Sequence, residues 1–171
     1  MGDQLAIGRS LGVRAITGIT IVVSLSGCVA GNAIDEMATG SIAPVSAPVA
    51  YSEKERECLE RAIFFESNRS SEEGLVAVGT VVMNRVEADE FPDTICEVVG
   101  QKNQFAPGVL SRELPREKVP DVVAAADKVL DGHRHPDLDA AKFFHMAGLT
   151  FPYKNMHYRL EAGGNAFYER H

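Results

Sequence analysis

Two segments of the form Ser-x-x-Glu, Ser52-Glu-Lys-Glu55 and Ser70-Ser-Glu-Glu73, each stand directly before an apolar stretch. That spacing is a capping box: the Ser side chain and the Glu three residues on satisfy free amides at a helix start. It predicts one helix from Ser52 to about Ser67 and a second from Ser70 to about Val86. Two such helices joined by a few polar residues must pack side by side, which commits the chain to a helical core. The second stretch, "GLVAVGTVVMNRV", mixes Val with Gly74, Ala77 and Gly79. Small residues admit a neighbouring backbone, so this reads as the central helix. Its β-branched content keeps a strand over Val76 to Met83 open as the competing reading.

Leu59, Ala62, Ile63 and Glu66 fall at i, i+3, i+4 and i+7 of the first helix. At 100° per residue, Glu66 projects about 20° from Leu59, on the inward face. Glu53, Lys54, Glu57, Glu60 and Arg61 populate mostly the outward side. A carboxylate at the end of an apolar stripe is disfavoured as an ion, so its pKa rises. A protonated carboxyl at the floor of a groove is what a general acid requires. One acid on a stripe also fits a structural role: a partner for Arg69 or Arg85, or a cap for the helix beginning at Ser70. Asn84 and Arg85, on the second helix, are placed to brace it.

The remaining chain reads as mostly helical with a small sheet late, an α+β arrangement. Phe91-Pro92 marks a turn and Thr94 to Val99 a short helix. Residues 101–119 form an irregular loop with Pro107, Gly108 and Pro115. Pro120 suits a first helical position, and Val122, Val123, Ala126, Val129 and Leu130 make a stripe that stops at Gly132. Ala141 to Met146 reads as a short strand. "HYRLEAGGNAFYE" reads as a hairpin turning at Gly163-Gly164.

The 171 residues suit a single domain, and 45% hydrophobic content suits an ordinary core. A net charge of −7, with no local cluster of Lys and Arg, argues against nucleic-acid binding. His133 and His135 in "HRHP" lack a third convergent ligand, so no metal is expected and zinc amidase chemistry lacks its ligands. No cofactor is expected either. Cys58 and Cys96 lack a base in sequence context, which argues against a cysteine peptidase.

Residues 1–27 read as an export signal: Arg9 and Arg14, then an uncharged apolar run from Ala15 to Leu25, too short to span a bilayer. The run ends in Leu25-Ser26-Gly27-Cys28, which resembles the lipobox of bacterial lipoproteins. In that class the chain is cut before the Cys and its thiol carries a diacylglycerol. A plain signal cut near Ala30 is the alternative. Residues 28–50 then hold the lipidated Cys28 and an Ala, Ser, Gly, Thr and Pro-rich tether of about 22 residues, with a reach of roughly 25 Å. The folded domain covers residues 51–171. In an oxidising compartment Cys58 and Cys96 are either bridged or two separate buried thiols. A bridge would close a 38-residue loop and contribute roughly 3–4 kcal/mol.

Taken together, "CLERAIFFES", "EEGLVAVGTVVMNRV", "FPDTICEVV", "NQF", "FFH" and "GGNAFY" resemble the SleB/CwlJ-type cell wall hydrolases, across Cys58 to Tyr168. The resemblance implies a lysozyme-like domain acting on the glycan strands of peptidoglycan, between N-acetylmuramic acid and N-acetylglucosamine. It implies Glu66 as a single catalytic acid and a lytic transglycosylase product with 1,6-anhydro ends. A second acid common four residues later is Ser70 here, a usual Trp is Tyr153, and a His often found before the final "FY" is replaced near Asn165. The chain has no Trp, so sugar stacking falls to Tyr153, Tyr158, Tyr168 or Phe105. Asn84, Gln104 and His145 complete the candidate substrate contacts. Gln104 and His145 also fit purely structural roles.

These features predict a lipid-anchored enzyme whose partners are glycan strands and a membrane, in a two-membrane host the outer one, facing the periplasm. A protein activator is unknown. Two other readings stay open: a water-using muramidase or glucosaminidase, and a peptidoglycan-binding lipoprotein without catalysis.

Overall fold

A computed structural model describes residues 50–69 and 71–171; the export signal, Cys28, most of the tether and Ser70 lie outside the described residues. Helix α1 spans Glu53–Glu66, and the Ser52 hydroxyl accepts from the Glu55 amide at 3.2 Å, the first predicted cap. The second cap is displaced by one residue. Helix α2, Glu72–Val86, is capped by Ser71, whose hydroxyl accepts from the Gly74 amide at 3.1 Å. Both Ser70 and Ser71 offer a capping hydroxyl, so the sequence did not separate them.

Val76 to Met83 is helical, and every residue from Gly74 to Met83 is buried. Burial on all sides overrides the β-branched preference. Helix α2 packs against α1, against the short α3 (Ile95–Val99) and against α4 (Pro120–Leu130). Gly79 makes this possible: a Cβ there would meet Val129 of α4 at 2.9 Å and Ile63 of α1 at 3.2 Å. The disulfide Cys58–Cys96, with Cα atoms 5.2 Å apart, ties α1 to α3. Helix α4 opens on Pro120 and is followed by Gly132 at φ +95°.

Three strands follow: β1 (Phe143–Met146), β2 (Met156–Ala162) and β3 (Asn165–Arg170). They form an antiparallel sheet in the order β1-β3-β2. The β2–β3 hairpin turns on Gly163 and Gly164, both at positive φ, as a two-residue hairpin turn demands. Cross-strand partners share a face. Phe144, Phe167 and Leu160 therefore lie together on the face packed against the helical core. His145, Ala166 and Glu161 form a row on the opposite face, beside Phe143, Tyr168 and Tyr158. A bulge at Arg159 keeps both rows in phase.

One outward assignment on α1 is corrected. Glu60 is fully buried, and its Oε1 accepts from Arg116 at 2.8 Å. Arg116 lies in a 3₁₀ turn, Arg116–Lys118, within the segment 101–119, which folds back over this side of the helix. A helical wheel contains no information about such a covering segment.

Candidate active site

Glu66 is the last residue of α1 and is partly buried. The stripe that carries it is in the core: Leu59, Ala62 and Ile63 are fully buried. Two other parts of the chain converge on the same residue. The Ala106 amide, from the segment after α3, donates to the Glu66 carboxylate Oε1. The Asn165 side-chain amide, at the start of β3, donates to the Glu66 backbone carbonyl at 2.8 Å. One residue further on, the Asn68 amide donates to the Gly163 carbonyl at 3.2 Å, so the hairpin turn also holds the helix end.

Burial pushes the Glu66 carboxyl above its ordinary range; the Ala106 hydrogen bond and the charge of Arg85 pull it part of the way back. Among the described residues, Glu66 forms no ion pair within 4.0 Å. Arg69, one of the expected partners, turns away: its guanidinium donates to the Phe64 carbonyl at 2.9 Å and covers the Phe64 ring. Arg85 is buried, with its Nε donating to the Lys142 carbonyl at 2.7 Å and its Nη1 without a partner. It sits among the rings of Phe91, Phe105 and Phe143. Burial pushes its pKa down to about 10, against the pull of Tyr168 and Glu66.

Three of the expected substrate contacts are engaged within the fold. Asn84 gives both side-chain N–H bonds to main-chain carbonyls, those of Asp139 and Ala141, each at 2.9 Å. It fastens the segment before β1 and has no donor left for a sugar or for Glu66. Phe105 and Tyr168 are buried, though Phe105 contributes to the lining of a hollow along residues 99–111. Phe105 lies edge-on to Phe144, and Tyr168 stacks on Phe143 with ring centroids 5.6 Å apart. In both cases the aromatic residue that a sugar would need is consumed by packing.

The other candidates are open to solvent. Gln104 lies exposed in the segment that delivers the Ala106 amide. Tyr153 and Tyr158 are 61% and 51% exposed. Tyr153 stacks on Phe151, also exposed, with planes 12° apart. His145 sits between these groups: Phe151 meets its ring edge-on at 4.7 Å, and its Nε2 lies 2.8 Å from the Tyr158 hydroxyl. Its Nδ1 faces the Met146 carbonyl at 2.8 Å, so in the neutral ring Nδ1 carries the proton and Nε2 accepts from Tyr158.

These rings bound the largest described hollow, about 540 Å³, whose lining includes His145, Leu149, Phe151, Tyr158, Glu161 and Ala166. A second hollow of about 490 Å³ lies along the segment 99–111 and includes Ala106, the residue whose amide touches Glu66. Glu66 lines neither. Sequence reasoning missed Phe151, Glu161, Asn165 and the Ala106 amide. Phe151, beside Pro152 and Tyr153, carried a readable signal of exposed aromatic character; a backbone amide carries none.

The site thus offers a carboxyl raised by burial at a helix end touched by a loop and a hairpin, and, separately, a surface of exposed rings on the sheet. A model of the Cell Wall Hydrolase family matches residues 69–168, more than half of the chain, and the chain belongs to that family. The match begins three residues after Glu66. A spore cortex-lytic enzyme from Oceanobacillus iheyensis is 33% identical over 82 residues, which are 48% of this chain and 29% of that protein. The chain therefore aligns with less than a third of that relative's length. The fold matches the catalytic domain of the germination-specific lytic transglycosylase SleB from Bacillus anthracis, with TM-score 0.60 and 22% identity, over 72% of this chain and 100% of that one. It also matches the catalytic domain of SleB from Bacillus cereus, with TM-score 0.59 and 22% identity, over 74% and 98%.

Proposed function

We propose that this cell wall hydrolase cuts the glycan strands of peptidoglycan between N-acetylmuramic acid and N-acetylglucosamine, as a lytic transglycosylase with Glu66 as both acid and base. The observation that carries the reading is the single carboxyl at the end of α1, raised by burial. The Ala106 amide and the charge of Arg85 pull against that rise. Hydrolysis by either common route needs two carboxyl groups flanking the bond. A transglycosylase needs one, because the attacking hydroxyl is already tethered to the sugar being cleaved and its effective concentration is high.

The steps balance on one proton. Protonated Glu66 gives its proton to the bridging oxygen as the bond from the muramic anomeric carbon breaks. The 6-hydroxyl of the same sugar bonds to that carbon and returns its proton to Glu66. The products are a free N-acetylglucosamine end and a 1,6-anhydro-muramic end. Arg85, buried nearby, favours the transient Glu66 anion without neutralising it beforehand through an ion pair. Tyr153 with Phe151 supplies a flat face on which a sugar ring can stack. Tyr158 and Gln104 lie open to the strand, and His145 orients the Tyr158 hydroxyl.

The location follows from the substrate and from the export signal expected in residues 1–27. Cys28 carries a lipid, residues 28–50 form the tether, and residues 51–171 work at the periplasmic side of an outer membrane. No helix among the described residues is long and apolar enough to cross a membrane.

The test is digestion of purified peptidoglycan followed by mass analysis of the products. An end lighter by one water than its hydrolytic counterpart is expected. Glu66→Gln should lower the rate by about 10²–10⁴-fold. Hydrolytic ends would instead favour a muramidase or glucosaminidase. Lysis by the variant at the wild-type rate would remove Glu66 from the chemistry. Binding without cleavage by either protein would leave a peptidoglycan-binding lipoprotein.

A further inference from the structure

The larger hollow is built by one small residue between two large polar ones. Across the sheet, His145 of β1, Ala166 of β3 and Glu161 of β2 are direct partners on the face turned away from the helical core. Ala166, a methyl group in the middle of that row, is buried and is part of the lining of the hollow. The connection from β1 to β2 closes the sides with Leu149 and Phe151, and Tyr158 stands at the next position along the row.

The charges around this space are already settled, with one exception. Arg159, at its edge, is held by Glu169 at 2.8 Å and by Asp139 at 3.7 Å. His145 has both ring nitrogens occupied. Glu161 has no hydrogen-bond or ion-pair partner among the described residues and is exposed to the hollow. Of the Arg, Lys, Asp and Glu residues, Arg159 and Glu161 line the hollow, and Arg159 is already committed to Glu169 and Asp139. A free carboxylate facing aromatic walls is the chemistry that holds an alkylammonium group: the acid bonds the N–H donors and the ring faces attract the cation. With Arg159 bonded to Glu169 and Asp139, Glu161 is the lining charge left open to a ligand.

We infer that this hollow is a recognition site for a primary ammonium group of the peptide stem, the side-chain amine of its diamino acid, with Glu161 as the anion that reads it. The inference rests on the glycan-cleaving reading only for the identity of the polymer. Glu66 does not line the hollow, so its occupant is not the bond being cut. What hangs from a muramic acid beside that bond is the stem. Strands whose stems are uncrosslinked keep this amine free, so the site would direct the enzyme toward uncrosslinked strands. Acylating the amine removes both its charge and its fit.

The experiment measures binding of two soluble probes to the full-length chain by calorimetry. One is the tripeptide L-alanyl-γ-D-glutamyl-diaminopimelate; the other is the same tripeptide acetylated on its side-chain amine. The native probe should bind about tenfold more tightly than the acetylated one, the usual scale for truncating one member of a charge pair at a site. Glu161→Gln should erase that difference while leaving the thermal midpoint unchanged, since the side chain is exposed. Glu66→Gln should bind both probes as wild type does. Equal binding of the two probes by wild type, no binding of either, or full discrimination by Glu161→Gln would each overturn the inference. The probes contain no glycosidic bond, so these results stand apart from those of the digestion test.

Discussion

Glu66 is held where its anion is disfavoured, and that has a consequence for stability as well as chemistry. Its carboxyl binds a proton more tightly in the folded chain than in the unfolded one. Below its ordinary value of 4.5 the group is protonated in both states and contributes no penalty. As pH rises from there through the raised folded value, the penalty grows, and above that value it is constant. Glu66→Gln is therefore expected to stabilise the fold by about 1 kcal/mol at neutral pH, as removal of a buried charge that burial disfavours does. The gain should shrink toward zero on acidification below 4.5. Denaturant melts of both proteins across pH check this, and a gain independent of pH would contradict it. The position of Glu66 was legible because helical periodicity places every seventh residue over the same stripe. The bonds that complete its surroundings were not. The Ala106 amide belongs to the main chain, and Asn165 lies 99 residues away, so neither leaves a local pattern.

The same division holds for the elements. Helix α4 and the Gly163-Gly164 hairpin carry their own start, stop and turn residues, and they form where those signals stand. Tyr168 and Phe105 are buried for a reason that belongs to element packing: β3 is the central strand of its sheet, and the segment after α3 turns Phe105 toward the core. Exposure of an aromatic ring depends on which strand ends up in the middle, and alternation within one strand does not report that. The α1–α3 disulfide is an element-scale clamp. Opening it in a Cys58→Ser, Cys96→Ser double variant should cost about 3–4 kcal/mol on the loop-closure account. With the cysteines 38 positions apart in sequence, the effect should appear as a lower thermal midpoint that added reductant no longer shifts. An unchanged midpoint would mean the bridge constrains nothing.

At the scale of the molecule, the helices and the sheet meet at a backbone contact. A Cβ on Gly74 would come within 2.5 Å of the Gly163 Cα atom. Main chain cannot retreat as a side-chain tip can. Gly74→Ala is expected to destabilise by about 2 kcal/mol, an overpacking effect. It should lower the denaturant midpoint at unchanged slope, and it should also slow cleavage, because the displaced turn carries the Asn68 and Asn165 bonds to the end of α1. A variant with native midpoint and native rate would show the contact to be slack. The buried Glu60–Arg116 pair reaches further than its own energy. The stretch between α3 and α4 is a bridge span with one pier at the disulfide and another at this pair, and the amide that touches Glu66 rides on the span between them. Loosening the far pier would let the span sag, so damage remote from the Glu66 carboxyl would be felt there as lost aim before it was felt anywhere as lost fold.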